Sequence, residues 1–262
     1  MDFKNIIYEK RDHGGWICLN RPELMNPLNL EIIQEIGRAW KDLERDHSIK
    51  AMVITGKGRA FSAGADLTFI KQLMEGAGGS EMFTEYMETW ERVFNGIENS
   101  RVPVIGAING LCLAGGLELA LVCDILIASE EARIGDQHAN FGLVAGGGGT
   151  QRLPRKIGIN RAKELLITGD WITPQKAMEW GLVNMVVPAN KLEEAAAELV
   201  SKIASKSGET SRIAKLLVNQ GMQMNLHDAL KLEQWAVSLH FTGEDVKEGL
   251  AAFKEKRKPK FK

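Results

Sequence analysis

Glu118 is the one carboxylate in the run from Leu117 to Cys123, "LELALVC", which is otherwise apolar on every side. A charged group in such surroundings is costly unless it is paired or chemically employed. Its place in the first turn of a predicted helix also suits a capping glutamate favoured by the helix dipole, and both readings stand at this point. Two glycine-bearing loops, "FSAGAD" (61–66) and "NGLCLAGGLEL" (109–119), each follow a buried apolar run. Small residues there expose backbone N–H groups at a strand exit. The second loop leads straight into a helix, whose start is electropositive. Two such N–H groups converging on one carbonyl oxygen make an oxyanion hole, worth roughly 3–4 kcal/mol per donor where charge develops. Tight turns with close helix–strand packing are the plainer explanation.

A second polar cluster lies in "IGDQHANFGLVAGGGGTQRL", Ile134 to Leu153, where His138 precedes four consecutive glycines, Gly146 to Gly149. The tract is no P-loop, because Gly149 is followed by Thr150 and Gln151 and no lysine is present. A dinucleotide fingerprint needs a leading strand and an acid about twenty residues on. Asp170 has that spacing but follows a predicted helix.

The elements that must position these residues read as follows. "IIYEKRDHGGWICLN" predicts two strands about a turn at Gly14-Gly15. "NLEIIQEIGRAWKDLERD" places Ile32, Ile33, Ile36, Trp40 and Leu43 at helical spacing, with Asn29 as a cap. "AMVITGKG", "VPVIGAI" and "DILIAS" read as buried strands, "EMFTEYMETWERVFNGIEN" as an amphipathic helix and "GGLELALVC" as a short helix. Alternation of strands and helices argues an α/β class. From Lys191 four periodic helical blocks follow, which predicts a mixed core with a helical appendage.

With 262 residues, the chain has room for one large core. A formal net charge of −1 gives no electrostatic case for nucleic acid or a membrane surface. Cys18, Cys112 and Cys123 form no CxxC pair and fit no metal ligand set, so no metal is expected and the thiols read as reduced core filler in a cytoplasmic protein. The first residues carry no apolar segment of the signal-peptide kind. Val102–Ala128 is the nearest approach to a membrane span, but Glu118, Asp124 and Pro103 interrupt it.

Taken together, "FSAGADL", "AINGLCLAGGLELALVCDILIAS", "GGGGTQRLPRKIG", "ELLITGDWITPQKAMEWGLVNMVVP" and "EDVKEGLAAFKEKRKPKF" resemble the enoyl-CoA hydratase/isomerase (crotonase) family across essentially the whole chain. The resemblance implies an α/β crotonase (ClpP-like) spiral of ββα units over 1–200, then a helical trimerisation region over 201–262, with trimers that often pair into hexamers. It implies an acyl-CoA thioester as substrate, in fatty-acid or aromatic-acid degradation, with coenzyme A arriving as part of that substrate and no separate cofactor. Carried over by position, Ala65 and Gly115 supply the oxyanion N–H groups. Met25, Ala63, Asp66, Leu67 and Thr68 lie along the coenzyme A, Phe253 covers the acyl pocket, and Lys256 reaches a phosphate. The basic tail "KEKRKPKFK" reads equally as a solvated terminus.

Hydratases of this family generally use two glutamates, one on the helix after the second glycine loop and one in the loop before the glycine tract. Glu118 matches the first. The second falls on His138, within Asp136-Gln137-His138, where the familiar pattern is glutamine-proline-glutamate. Three outcomes are open: His138 acts as the second acid/base, Glu118 works alone, or a different enolate reaction (dienoyl-CoA hydration or enoyl-CoA isomerisation) or mere acyl-CoA binding remains. Retention of the helix glutamate favours water addition. RNA binding through a lysine-rich early helix is disfavoured, since residues 29–46 carry at least as many acids as bases.

Overall fold

Runs such as "AMVITG" and "VIGAI" are apolar throughout, which suits strands covered on both faces. In the computed structural model, which describes residues 2–261, they form the middle of a six-stranded sheet. The strands are β1 (Ile6–Arg11), β2 (Gly14–Leu19), β3 (Ala51–Gly56), β4 (Ala60–Ser62), β5 (Val104–Ile108), β6 (Leu111–Leu113), β7 (Ile125–Ser129), β8 (Arg133–Gly135), β9 (Trp171–Ile172) and β10 (Met185–Val187). The large sheet has the order β1-β2-β3-β5-β7-β10 and a small one the order β4-β6-β8-β9. Pairing is parallel except in β1/β2 and β8/β9. Three times in succession, the chain gives one strand to the large sheet and the next to the small one: β3 then β4, β5 then β6, β7 then β8. This is the predicted spiral.

The helices are α1 (Leu30–Arg45), α2 (Leu67–Glu75), α3 (Gly79–Glu98), α4 (Gly115–Leu121), α5 (Gly149–Ile157), α6 (Ile159–Thr168), α7 (Pro174–Glu179), α8 (Leu192–Ala204), α9 (Gly208–Gly221), α10 (Leu226–His240) and α11 (Glu244–Lys254). Asn29 caps α1 by accepting from the Ile32 N–H at 3.1 Å, a contact worth about 1 kcal/mol. Alternation along β3 serves two cores. Met52 and Ile54 join Ile32, Ile36, Phe94 and Leu117 on one face of the sheet. Val53, with Ile105 and Ile127, meets Leu192, Ala196 and Val200 of α8 on the other. Position 200 thus lies inside a helix that seals the large sheet.

The β1/β2 turn is not at Gly14-Gly15. Asp12 and His13 make it, both with left-handed φ (50° and 66°), while Gly14 and Gly15 open β2. Gly15 is required for packing: a Cβ there would stand 2.3 Å from Leu43 Cδ2. The region Val102–Ala128 resolves into β5, β6, α4 and β7, and no described helix is long and apolar enough to cross a membrane.

Beyond α8, Lys215 ties α9 to the core. Its Nζ lies 2.7 Å from Asp124 Oδ2 and 3.1 Å from Ser100 Oγ. By contrast, α10 and α11 leave Trp235, Leu239, Leu250 and Phe253 exposed, along with Phe241 at the end of α10.

Candidate active site

The small sheet brings the two glycine loops together. β4 pairs with β6 in parallel, Ala60 opposite Leu111 and Ser62 opposite Cys112, so the residues beyond each strand leave side by side. The chain then turns at Gly64 (φ +105°) in one loop and at Ala114 (φ 49°, ψ −118°) in the other. A side chain at such a φ is strained, commonly by ~1–3 kcal/mol, and persists only where the surroundings hold it. That turn brings the Gly115 amide beside Ala65. A Cβ on Gly115 would lie 3.2 Å from Ala65 N, and a Cβ on Gly64 would lie 3.0 Å from Gly115 N. Leu28 bonds Gly64 O and the Asp66 N–H on either side of Ala65. Neither the Ala65 nor the Gly115 N–H has an acceptor among the described residues.

Glu118 follows in the first turn of α4 and is buried, with 2% exposure. Its Oε1 accepts from the Gly149 N–H at 2.8 Å. Gly149 is the first residue of α5, so the carboxylate sits on the positive end of a second helix. The glycine tract makes this approach possible: a Cβ on Gly147 would meet Oε2 at 2.7 Å, and one on Gly149 would meet Oε1 at 3.1 Å. Burial pushes the carboxyl above the ordinary carboxylate range. The Gly149 N–H, the charge of His138 and the Gly147 N–H oppose this, Asp136 adds to it, and the net direction is up.

His138 opens a short 3-10 helix, His138–Phe141, just after β8. Asp136, 1% exposed, fixes it. Its Oδ2 lies 2.9 Å from His138 Nδ1, and its Oδ1 accepts from the His138 main-chain N–H at 3.1 Å. The proton therefore belongs on Nδ1, and Nε2 remains the chemically available nitrogen. Burial alone would lower the imidazole pKa. The Asp136 hydrogen bond and charge, joined by the charge of Glu118, outweigh it and hold His138 above its usual 6.5. The mutual charge coupling of Glu118 and His138 places both in one field.

The sequence profile of the enoyl-CoA hydratase/isomerase family matches residues 15–262. The chain belongs to that family. Among its relatives is a crotonyl-CoA hydratase of Syntrophomonas wolfei, 39% identical over 100% of this chain and 99% of that protein. A short-chain-enoyl-CoA hydratase of Clostridium acetobutylicum is 37% identical over 98% of this chain and 97% of that protein. The crystal structure of an enoyl-CoA hydratase from Bacillus anthracis superposes with a TM-score of 0.93 at 39% identity, covering 99% of both chains.

Against this family background, the coenzyme A candidates fall into four groups. Met25 (φ 67°) and Ala63 are joined, Ala63 N–H donating to Met25 O at 2.9 Å, beside the Ala65 loop. Leu67 and Thr68 are exposed in the first turn of α2. The Asp66 carboxylate is already engaged: it pairs with Arg21 Nη1 at 3.0 Å and caps α2 through the Phe69 N–H at 3.2 Å. Phe253 and Lys256 lie exposed in and just beyond the last turn of α11, and no described hydrogen bond or ion pair ties either to the other candidates. Among the described residues no cluster of three or more His, Cys, Asp or Glu could hold a metal ion.

One contributor escapes sequence reasoning. Trp90 of α3 is 3% exposed and lies against Gly115 and Gly147. Its spacing from Tyr86 and Phe94 marks it only as a core residue.

Proposed function

We propose that the protein adds water across the α,β double bond of an enoyl-CoA thioester, in keeping with the hydratases it resembles. One observation carries the reading: a buried glutamate held by glycine main-chain N–H groups, on the helix whose first N–H lies beside a second acceptor-free N–H. The thioester oxygen accepts from Ala65 and Gly115. Polarisation makes the β-carbon electrophilic and prepares an enolate. Water attacks that carbon and loses a proton to Glu118, whose raised pKa makes it a competent base and, in reverse, an acid. His138, held by Asp136 and with its pKa raised by that partner, returns a proton from Nε2 to the α-carbon when it is in the imidazolium form. One O–H bond and one C=C π bond are exchanged for C–O and C–H bonds, and the two side chains end with the proton count they began with.

Met25, Ala63, Leu67 and Thr68 would line the coenzyme A. Phe253 and Lys256 would act only where subunits meet, which suits the exposed apolar residues of α10 and α11 as a trimer or hexamer interface. The reaction calls for no further cofactor, and the assignment is to the cytoplasm. The test is a panel of straight, branched and cyclic enoyl-CoAs, followed by loss of the conjugated thioester absorbance. Glu118→Gln should lower turnover by roughly 10²–10⁴-fold with acyl-CoA binding retained. Undiminished turnover in that variant would refute the assignment.

A further inference from the structure

Four consecutive glycines, Gly146 to Gly149, have no side chains with which to pin themselves, and glycine is the residue of widest backbone freedom. Yet two of them must be aimed, because the Gly147 and Gly149 N–H groups both serve the Glu118 carboxylate. Arg152, one turn into α5, supplies the hold. Its Nη1 donates to the Gly147 carbonyl at 3.1 Å. The other two guanidinium nitrogens are taken up by α3. Nη2 donates to Glu98 Oε2 at 2.7 Å and to Asn95 Oδ1 at 2.6 Å, and Nε donates to Glu98 Oε2 at 3.1 Å. The arginine side chain is 17% exposed, so its fork is largely withdrawn from solvent. Gly148 is shaped to admit it: its φ is +108°, and a Cβ there would collide with Arg152 Nη1. Its carbonyl in turn accepts from the Arg152 main-chain N–H at 2.8 Å. The glycine tract is therefore wrapped around one arginine, which is itself fastened to the end of α3.

We propose that Arg152 is a positioning residue for hydration: through the Gly147 carbonyl it holds the glycine tract so that the Gly147 and Gly149 N–H groups stay on the Glu118 carboxylate. This rests on the hydration reading and adds to it the group that fixes the base. The coupling is short. The C=O and the N–H of Gly147 are separated only by that residue's φ and ψ, so a carbonyl locked to a guanidinium leaves the N–H little room to swing. Arginine suits the task because its planar fork can place one donor on a carbonyl while others engage a carboxylate on a different helix. An arginine paired with Glu98 for its charge alone would have no need of a main-chain carbonyl. The N–H groups favour the ionised carboxylate. A tract released from Arg152 withdraws them, and burial, the largest influence on Glu118, is then less opposed and raises its pKa further.

The test is the pH profile of kcat/KM for enoyl-CoA hydration by wild type and Arg152→Lys. Lysine keeps the positive charge, but one ammonium cannot serve Glu98, Asn95 and the Gly147 carbonyl together. The acid limb of the profile needs Glu118 ionised. In the variant it should move up by roughly one pH unit, and the plateau should fall roughly 10-fold or more as the carboxylate loses its aim. A packing role alone would lower the plateau and leave the limb where it was. An acid limb left in place or moved down therefore overturns the proposal, whatever the height of the plateau. If the lysine variant fails to fold, Arg152→Gln is compared with wild type at low and high ionic strength. A shift caused by the lost charge shrinks with salt, whereas one caused by the lost donor persists, so a shift that vanishes at high salt also overturns the proposal. Wild-type protein that hydrates no enoyl-CoA would instead overturn the hydration reading itself, so the two failures are distinguishable.

Discussion

Replacing Gly147 with alanine inserts one carbon between Glu118, on which turnover depends, and the buried ring of Trp90. The added Cβ would stand 2.1 Å from Trp90 Nε1 and 2.7 Å from Glu118 Oε2, where ordinary contact begins at about 3.5 Å. Gly147 does not have a left-handed φ, so the perturbation is steric and not conformational. Neither neighbour yields cheaply. Trp90 is clamped between Tyr86 and Phe94, and Glu118 is held by the Gly149 N–H. Overpacking of this kind costs about 1–3 kcal/mol, a fall in Tm of roughly 2–4 °C per kcal/mol at this chain length. Displacing the carboxylate by ~1 Å should cost roughly 10²-fold in kcat. The assay is hydration at saturating enoyl-CoA, run beside thermal unfolding. Gly158→Ala is the control: its φ is +86° and nothing lies within 4 Å of the new methyl. It should lose ~1–3 kcal/mol of stability through backbone strain, since φ 86° with ψ 158° is a conformation almost confined to glycine, and keep its kcat. A Gly147→Ala protein that folds and turns over like wild type would refute the packed geometry argued above.

Asp136→Asn removes the carboxylate that holds the His138 pKa up, leaving burial to pull it down. The limb of the kcat–pH profile that needs imidazolium should move to lower pH, and a profile unmoved by the change would exclude His138 as the proton donor. The same pairing has a stability sign. With its folded pKa raised above the usual 6.5, His138 stabilises the fold fully below that pH, and the contribution is lost as pH rises through the folded value. Thermal unfolding across that window should show the loss in wild type and not in Asp136→Asn. Lys215→Ala strands Asp124, whose Oδ2 lies 2.7 Å from the lysine Nζ in a largely buried setting. Urea unfolding should report a loss of about 3–5 kcal/mol, and a loss under ~1 kcal/mol would show that the pair does not anchor α9.

What was legible in the sequence was whatever has a period or a composition. β3, β5 and β7 are uniform apolar runs, and α1 has its apolar face and its asparagine cap. The convergence of two amides was inferable because both loops follow strands and are built of small residues. Why they converge was not. β4, β6, β8 and β9 have only two or three residues each, too few to show alternation, and it is the β4/β6 pairing that aligns Ala65 with Gly115. The Gly14-Gly15 pair misled because glycine signals turns, whereas here Gly15 makes room for Leu43 and the turn falls to Asp12 and His13. Trp90 was unreadable for a different reason. A tryptophan at helical spacing looks the same whether its ring fills the core or lies against the loops of a site.

The histidine in place of a second glutamate alters the electrostatics of the pair without altering its proton count. Two carboxylates at close range share a proton because they repel when both are ionised. Glu118 and His138 reach one acid and one base through attraction: each charge favours the other, as the opposing shifts they exert show. The Glu118–His138 pair taken by itself is close to neutral, where a shared-proton carboxylate pair is negative. Asp136, whose oxygens accept from Nδ1 and the main-chain N–H of His138, adds its own negative charge beside the pair, and that charge raises the Glu118 pKa. Asp136 and His138 therefore act as a unit, since without Asp136 only the charge of Glu118 would oppose the lowering of the imidazole pKa by burial.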